Sequence, residues 1–296
     1  MTGLIKHIRL QVAIMNDFKE LTFTADDGYP LAGRLYKAEQ AKGIIIVASA
    51  TGVLQRFYNK FAKKSVANNF DVVTFDYRGI GGSSPSSLRG FEMDYLDWAR
   101  KDLNAVIGEL SKENRSIYLV AHSYGGHAIG LLENHHYVRA AYIFGTGAGW
   151  HGWMPKLEQF RVRFMWSVLA PIITCVKGYL GWSTFGMGED LPLGVYRQWK
   201  HWCRFPHYFF DDPKYPKMQD SFDNIKMPIK AVNSVDDNWA MPASRDAFMS
   251  HYRNAQLQMI DLNPAHHGLK SIGHMGYFFG SACVLWDDVF TFFDSQ

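Results

Sequence analysis

The chain has 296 residues, of which 47% are hydrophobic and 20% charged; that balance supplies a full apolar core and excludes a disordered chain. Its formal net charge is only +3, and its densest basic pair, Lys63 and Lys64, reads as a solvated helix face, so no nucleic-acid partner is expected. Three cysteines without a C-x-x-C spacing give neither a disulfide framework nor a zinc site, which predicts a reducing, cytoplasmic setting with no metal or other cofactor.

In chain order, residues 1–17 read as an N-terminal arm. Lys6, His7 and Arg9 interrupt its apolar residues, so no signal-peptide core survives, and Met15 is an alternative start. Residues 19–24 and 31–36 alternate around Asp26-Asp27-Gly28-Tyr29-Pro30 and predict an antiparallel hairpin. Apolar runs over 43–49, 71–75, 117–121, 140–144, 229–233 and 257–260 predict strands buried on both faces of a parallel sheet. Helices are predicted over 55–68, 93–110, from 123 onward, 242–252 and 276–294. Strands alternating with helices make an α/β fold, a mostly parallel, doubly wound sheet of about eight strands. Its core is assigned to residues 18–148 and 228–296.

Residues 149–227 contain no convincing strand, yet they hold Trp150, Trp153, Trp166, Trp182, Trp199 and Trp202 of the nine tryptophans. So many aromatic rings would not remain in a solvated loop, and the segment is predicted to be a helical lid inserted in the core. Within it, residues 164–182 approach the length of a membrane span. Pro171, Lys177, Gly178 and Gly181 break the run, and a span there would put two halves of one sheet on opposite sides of a bilayer. Lid helices packed on the core are the expectation, with a peripheral membrane contact through this face as the alternative.

The chemistry is expected at Ala121-His122-Ser123-Tyr124-Gly125. A serine hydroxyl is a weak nucleophile until a base takes its proton. A sharp strand-to-helix turn presents the hydroxyl above the sheet edge, and small residues two positions before and after it avoid a collision. Ala121 and Gly125 meet that need. Asp236 and Asp237 follow the fifth apolar run, at the edge where such sheets bind ligands. His274, flanked by Gly273 and Gly276 ahead of the last helix, is favoured as the base over His266 and His267. His122 reads as a packing residue, and His135 and His136 as a helix end rather than metal ligands.

With Asp76-Tyr77-Arg78-Gly79-Ile80-Gly81-Gly82-Ser83 placed a few tens of residues before the serine motif, the chain resembles the α/β-hydrolase superfamily over about residues 18–294. Ala50-Thr51-Gly52-Val53, the segment LPLGVYRQWKHWCRFP and IGHMGYF at 272–278 resemble more closely the bacterial hydrolases near the serine aminopeptidase-like branch. Ala121 departs from the usual glycine. The resemblance implies the order Ser, acid, His along the chain: Ser123 as nucleophile, Asp237 as orienting acid with Asp236 as the alternative, and His274 as base. It also implies an oxyanion hole, assigned to the amides of Tyr124 and Val53, and substrate contacts from Thr51, Gly52, Trp150, Trp153 and Trp239.

The expected activity is hydrolysis of an ester, less readily an amide, of a small apolar acyl substrate through an acyl-enzyme. Acyl transfer by the same three residues and a non-catalytic binding protein are the alternatives. Dehalogenase and epoxide hydrolase chemistry is disfavoured, because those relatives carry a carboxylate where Ser123 stands.

Overall fold

The computed structural model describes residues 17–186 and 188–296; most of the expected N-terminal arm, residues 1–16, lies outside them. Strand β1 (Lys19–Thr24) pairs antiparallel with β2 (Pro30–Tyr36), in register from Lys19 opposite Leu35 to Thr24 opposite Pro30. This is the expected hairpin. It closes where the Gly28 amide donates to the Ala25 carbonyl and Gly28 takes a positive φ of 82°, a conformation open to a residue with no Cβ.

The remaining strands are β3 (Ile44–Ala48), β4 (Asp71–Phe75), β5 (Ile117–His122), β6 (Val138–Phe144), β7 (Pro228–Ser234) and β8 (Gln256–Leu262). Together they form one eight-stranded sheet in the order β1-β2-β4-β3-β5-β6-β7-β8. All neighbours from β4 to β8 run parallel, and only the hairpin side is antiparallel. Every residue of β3, β4 and β5 is buried, because the sheet separates two cores. Ile44, Ile46 and Leu119 point into one, and Ile45, Val47 and Val120 into the other. That two-sided burial is why these strands read as unbroken apolar runs.

One strand differs from expectation. Residues 257–260 looked like another doubly buried strand, but β8 is an edge strand, and Met259 and Ile260 remain 43% and 42% exposed. Among the described residues its only strand partner is β7. An apolar run cannot report which strand will lack a neighbour, since that depends on sheet order.

Helices α1 (Asn59–Ala67), α2 (Asn104–Ser111), α3 (Tyr124–Ile129), α4 (Lys156–Phe164), α5 (Ala170–Lys177), α6 (Leu193–Trp202), α7 (Met218–Asp223), α8 (Pro242–Met249) and α9 (Asp287–Asp294) complete the described chain. The helix predicted over 93–110 begins late, with a widened π-helical turn at Trp98–Leu103 ahead of α2. That turn is tied to the loop after β4: Trp98 Nε1 donates to the Arg78 carbonyl at 2.9 Å, and Asp102 accepts from Arg78 Nε at 2.7 Å. Arg78 also pairs with Asp27 at 2.6 Å, so the 76–83 loop is held by an Arg–Asp network. The helix predicted over 276–294 is helical in the α sense only in α9, preceded by tighter turns at Gly276–Phe278 and Gly280–Trp286. Extended backbone at Phe279, φ −70° and ψ 148°, separates those turns.

Between β6 and β7 the described chain consists of helices joined by loops, with one isolated bridge between Leu180 and Leu191. A second π-helical turn, Met165–Leu169, joins α4 to α5 directly ahead of Pro171. Proline lacks an amide hydrogen and crowds the carbonyl one turn back, and a widened turn relieves that clash. Among the described residues, no helix is long and apolar enough to cross a membrane.

Candidate active site

The parallel strands end on one edge of the sheet, where a doubly wound fold collects its loops. At the end of β5 the chain turns sharply at Ser123, whose φ of 52° and ψ of −109° lie in a region that residues with a Cβ seldom occupy. Such strain costs about 1–3 kcal/mol and persists only where neighbours hold it. The Ser123 amide donates to the Phe144 carbonyl at 2.9 Å, and its carbonyl accepts from Thr146 Oγ1 at 2.6 Å and from the Gly126 amide at 3.0 Å. Packing explains the small residues. Ala121 is fully buried, and a Cβ on Gly125 would sit 2.1 Å from the Ala48 carbonyl oxygen.

Asp237 lies in the turn after β7, which closes when its amide donates to the Ser234 carbonyl at 3.1 Å. Its fully buried carboxylate accepts from the Trp239 and Ala240 amides, both at 3.0 Å, and from the Tyr277 hydroxyl at 3.0 Å. His274 Nδ1 lies 3.1 Å and 3.0 Å from the two carboxylate oxygens, and His274 Nε2 lies 3.0 Å from Ser123 Oγ. A carboxylate only accepts, so Nδ1 carries the proton and Nε2 offers its lone pair to the serine hydroxyl.

Burial acts to raise the Asp237 pKa. His274, through its hydrogen bond and through its charge when protonated, together with the Ala240 amide and the Tyr277 hydroxyl, outweighs it and holds the carboxyl below its ordinary value. The group therefore stays ionised, as a residue that orients an imidazole must.

The neighbouring Asp236 does something different. It accepts the Ile272 and Gly273 amides at 2.9 Å and 3.0 Å and the Ser234 hydroxyl at 2.5 Å. It thereby holds the loop that carries His274 and makes no contact with the imidazole. His266 and His267 fall in the short turn Pro264–His267, while the hydrogen bonds of Ser123 Oγ and Asp237 run to His274.

A cavity of about 510 Å³ opens over Ser123 and His274. Thr51, Gly52, Val53, Tyr124 and Trp239 line it. Trp150 and Trp153 do not line it. They pack edge to face against each other at 5.6 Å, and Trp153 Nε1 donates to the Pro206 carbonyl at 3.0 Å. The aromatic wall is instead Trp182, Trp199, Tyr95 and Tyr208, with Met165 beside them. Tryptophan content marked the segment but not the rings, since only packing selects which face turns inward.

The two amides expected to receive an oxyanion are placed differently. The Val53 amide already donates to the Ala50 carbonyl at 3.2 Å, closing a turn in which Gly52 has a φ of 68°. The Thr51 amide, on the cavity wall, has no partner among the described residues. Tyr124 opens α3, so its amide is one of the first-turn donors that a helix leaves free.

Sequence reasoning missed Tyr277, three positions beyond His274, because an aromatic residue ahead of a helix reads as core. It likewise missed His127, which lines the cavity, donates from Nε2 to the Gly147 carbonyl at 2.9 Å, and is pushed by burial down to about 4. Among the described residues, no cluster of three or more His, Cys, Asp or Glu is arranged to hold a metal ion.

No curated protein matches the chain significantly. Among solved structures, a soluble variant of monoglyceride lipase from Saccharomyces cerevisiae, bound to a substrate analogue, superposes with a TM-score of 0.67 at 12% identity, covering 97% of this chain and 99% of that one. An epoxide hydrolase from Vigna radiata gives 0.61 at 13% identity, over 95% of this chain and 99% of that one. An esterase from Pyrococcus furiosus gives 0.59 at 13% identity, over 94% and 92%. At such identities the likeness is one of fold. The model of the alpha/beta hydrolase family matches residues 46–278, a span that includes Ser123, Asp237 and His274 without distinguishing the serine aminopeptidase-like branch. The chain belongs to the alpha/beta hydrolase family.

Proposed function

We propose that the protein is a serine hydrolase that cleaves carboxylic esters, and amides less readily, through an acyl-enzyme on Ser123. The observation that carries this reading is the unbroken line from Ser123 Oγ through His274 to Asp237, with contacts of 3.0 Å on each side of the imidazole. His274 Nε2 takes the serine proton as the hydroxyl attacks the ester carbonyl, and returns it to the departing alcohol. Asp237 stabilises the imidazolium formed between those steps. Water then repeats the sequence on the acyl-enzyme. The oxyanion is received by the amides of Tyr124 and Thr51.

The cavity favours an apolar or aromatic acyl group, because Trp182, Trp199 and Met165 form its wall. The helical segment between β6 and β7 acts as the lid that keeps bulk water from this wall. The esterase and lipase among the structural neighbours support ester chemistry. The epoxide hydrolase shares the fold, but Ser123 occupies the nucleophile position. No metal or cofactor enters the proposed reaction.

The experiment is labelling with a fluorophosphonate, which reacts with an activated serine. Wild type is expected to gain one adduct on Ser123, and Ser123→Ala none. An unlabelled, folded wild type would favour a binding protein on the same fold. Product analysis with an added alcohol separates hydrolysis from acyl transfer.

A further inference from the structure

Helix α4, the π-helical turn and α5 form one continuous helical segment, Lys156 to Lys177. Its inner face is buried through Val162, Trp166, Ala170 and Ile173. Its outer face carries Leu157, Phe160, Phe164, Val168, Ile172 and Val176, spaced three or four residues apart, as one stripe on a helix requires. Single exposed apolar side chains are ordinary, but this row is not: Leu157 is 62% exposed, Phe160 70% and Val176 69%. Half of the large hydrophobic residues exposed among the described residues lie on this one stripe.

The charges beside the stripe indicate what covers it. Lys156, Arg161, Arg163 and Lys177 stand against one acid in the segment, Glu158. Lys156, Arg161 and Arg163 are exposed, and only Arg161 pairs with that acid, at 3.5 Å. A second copy of the same face would oppose like charges, which disfavours self-association through it. An anionic lipid surface meets both requirements, taking the apolar row into its acyl boundary and the cations at its headgroups. The segment is not apolar enough to cross a bilayer, so it lies along one. It also carries Met165, which lines the cavity, and Trp166, which packs 5.0 Å from Trp199 on the cavity wall.

We propose that the outer face of Lys156–Lys177 docks the enzyme on an anionic lipid surface and holds the cavity wall against the source of apolar substrates. The surface is sensed by six apolar side chains and three exposed cations, none of which takes part in the chemistry at Ser123. Docking is therefore separable from hydrolysis.

The test is co-sedimentation of the full chain with phosphatidylcholine vesicles, with and without phosphatidylglycerol. Wild type is expected to bind the anionic vesicles, more weakly at high salt. The triple variant Phe160→Gln/Phe164→Gln/Ile172→Gln should bind about tenfold or more weakly, with unchanged thermal unfolding and unchanged turnover of a short water-soluble ester. A second variant, Lys156→Glu/Arg163→Glu, should lose the preference for anionic over neutral vesicles. Wild type remaining in the supernatant with anionic vesicles would overturn the proposal. So would a triple variant that binds as wild type does, which would put the contact elsewhere, including residues 1–16. A wild-type dimer that the triple variant dissociates, with no vesicle binding, would assign the face to a second copy instead.

Discussion

His122 Nε2 donates to the backbone carbonyl of His274 at 2.8 Å, so the residue before the serine holds the loop that carries the imidazole. The contact belongs to a longer chain. The Ala50 amide donates to the Tyr58 hydroxyl at 2.9 Å, and that hydroxyl donates to His122 Nδ1 at 3.0 Å. The carbonyl can only accept, which fixes the His122 tautomer and makes Tyr58 the donor. Burial pushes the His122 pKa down to about 3, so the ring stays neutral and the chain does not switch with pH in the physiological range.

Tyr58→Phe removes the middle of this chain and leaves the Ala50 amide and His122 Nδ1 without their partner. An unsatisfied buried group costs about 1–3 kcal/mol. The loops bearing Thr51 and His274 should loosen together. We expect kcat to fall by about tenfold or more while KM changes little, since the loss falls on groups that act in the transition state. Steady-state kinetics on one ester decide this, and a change confined to KM would count against it.

The two adjacent carboxylates should separate by phenotype. Asp237→Asn leaves the packing intact but keeps its one accepting oxygen for the Trp239 and Ala240 amides, turns an NH2 donor toward His274 Nδ1 and removes the charge, with an expected kcat loss of about 10⁴-fold, the scale seen in an unrelated triad. Asp236→Ala instead frees the Ile272 and Gly273 amides, so thermal stability should fall along with kcat. An Asp236 variant more damaged in turnover than Asp237→Asn, at unchanged stability, would reverse the assignment.

The Asp237 carboxyl also predicts a pH dependence of stability. Its native pKa lies below its ordinary value: burial opposes the shift, and His274, the Ala240 amide and Tyr277 prevail. A carboxyl whose native pKa is below its unfolded value of about 3.9 stabilises the fold above that pH, and the contribution is lost as pH falls through the native value. The stability difference between wild type and Asp237→Asn should be present at about pH 6 and shrink below about pH 4. Denaturant titrations across that window measure it; a difference that grows on acidification contradicts the sign.

Cavity substitutions should divide the tryptophans. Trp199→Ala enlarges the cavity wall and should shift preference toward bulkier acyl groups, with the largest change in kcat/KM across an ester series. Trp150→Ala should leave that ranking unchanged, because Trp150 packs edge to face against Trp153 outside the cavity. Matching shifts in both variants would place the acyl group elsewhere.

Much of the site was legible in the residues themselves. Ser123 sits between a buried run and a helix, with the buried Ala121 before it and Gly125 after it, where an added Cβ would lie 2.1 Å from the Ala48 carbonyl oxygen. Such steric demands act over a few residues and are written locally. His274 was legible for the same reason: Gly273, with a φ of 57°, marks the turn that lifts the imidazole. Patterning of apolar runs likewise specified the strands, since burial on two faces requires it.

Tertiary structure decided what depends on distant partners. β8 became an edge strand because, among the described residues, no further strand pairs beyond it. The Val53 amide was spent in its own turn, Trp182 and Trp199 faced the cavity in place of Trp150 and Trp153, and His122, packed in the core as expected, also became a tether. In each case the side chain or amide has the same local chemistry in either role. Orientation and pairing are set by contacts between segments far apart in the chain, and those exist only once the sheet has assembled.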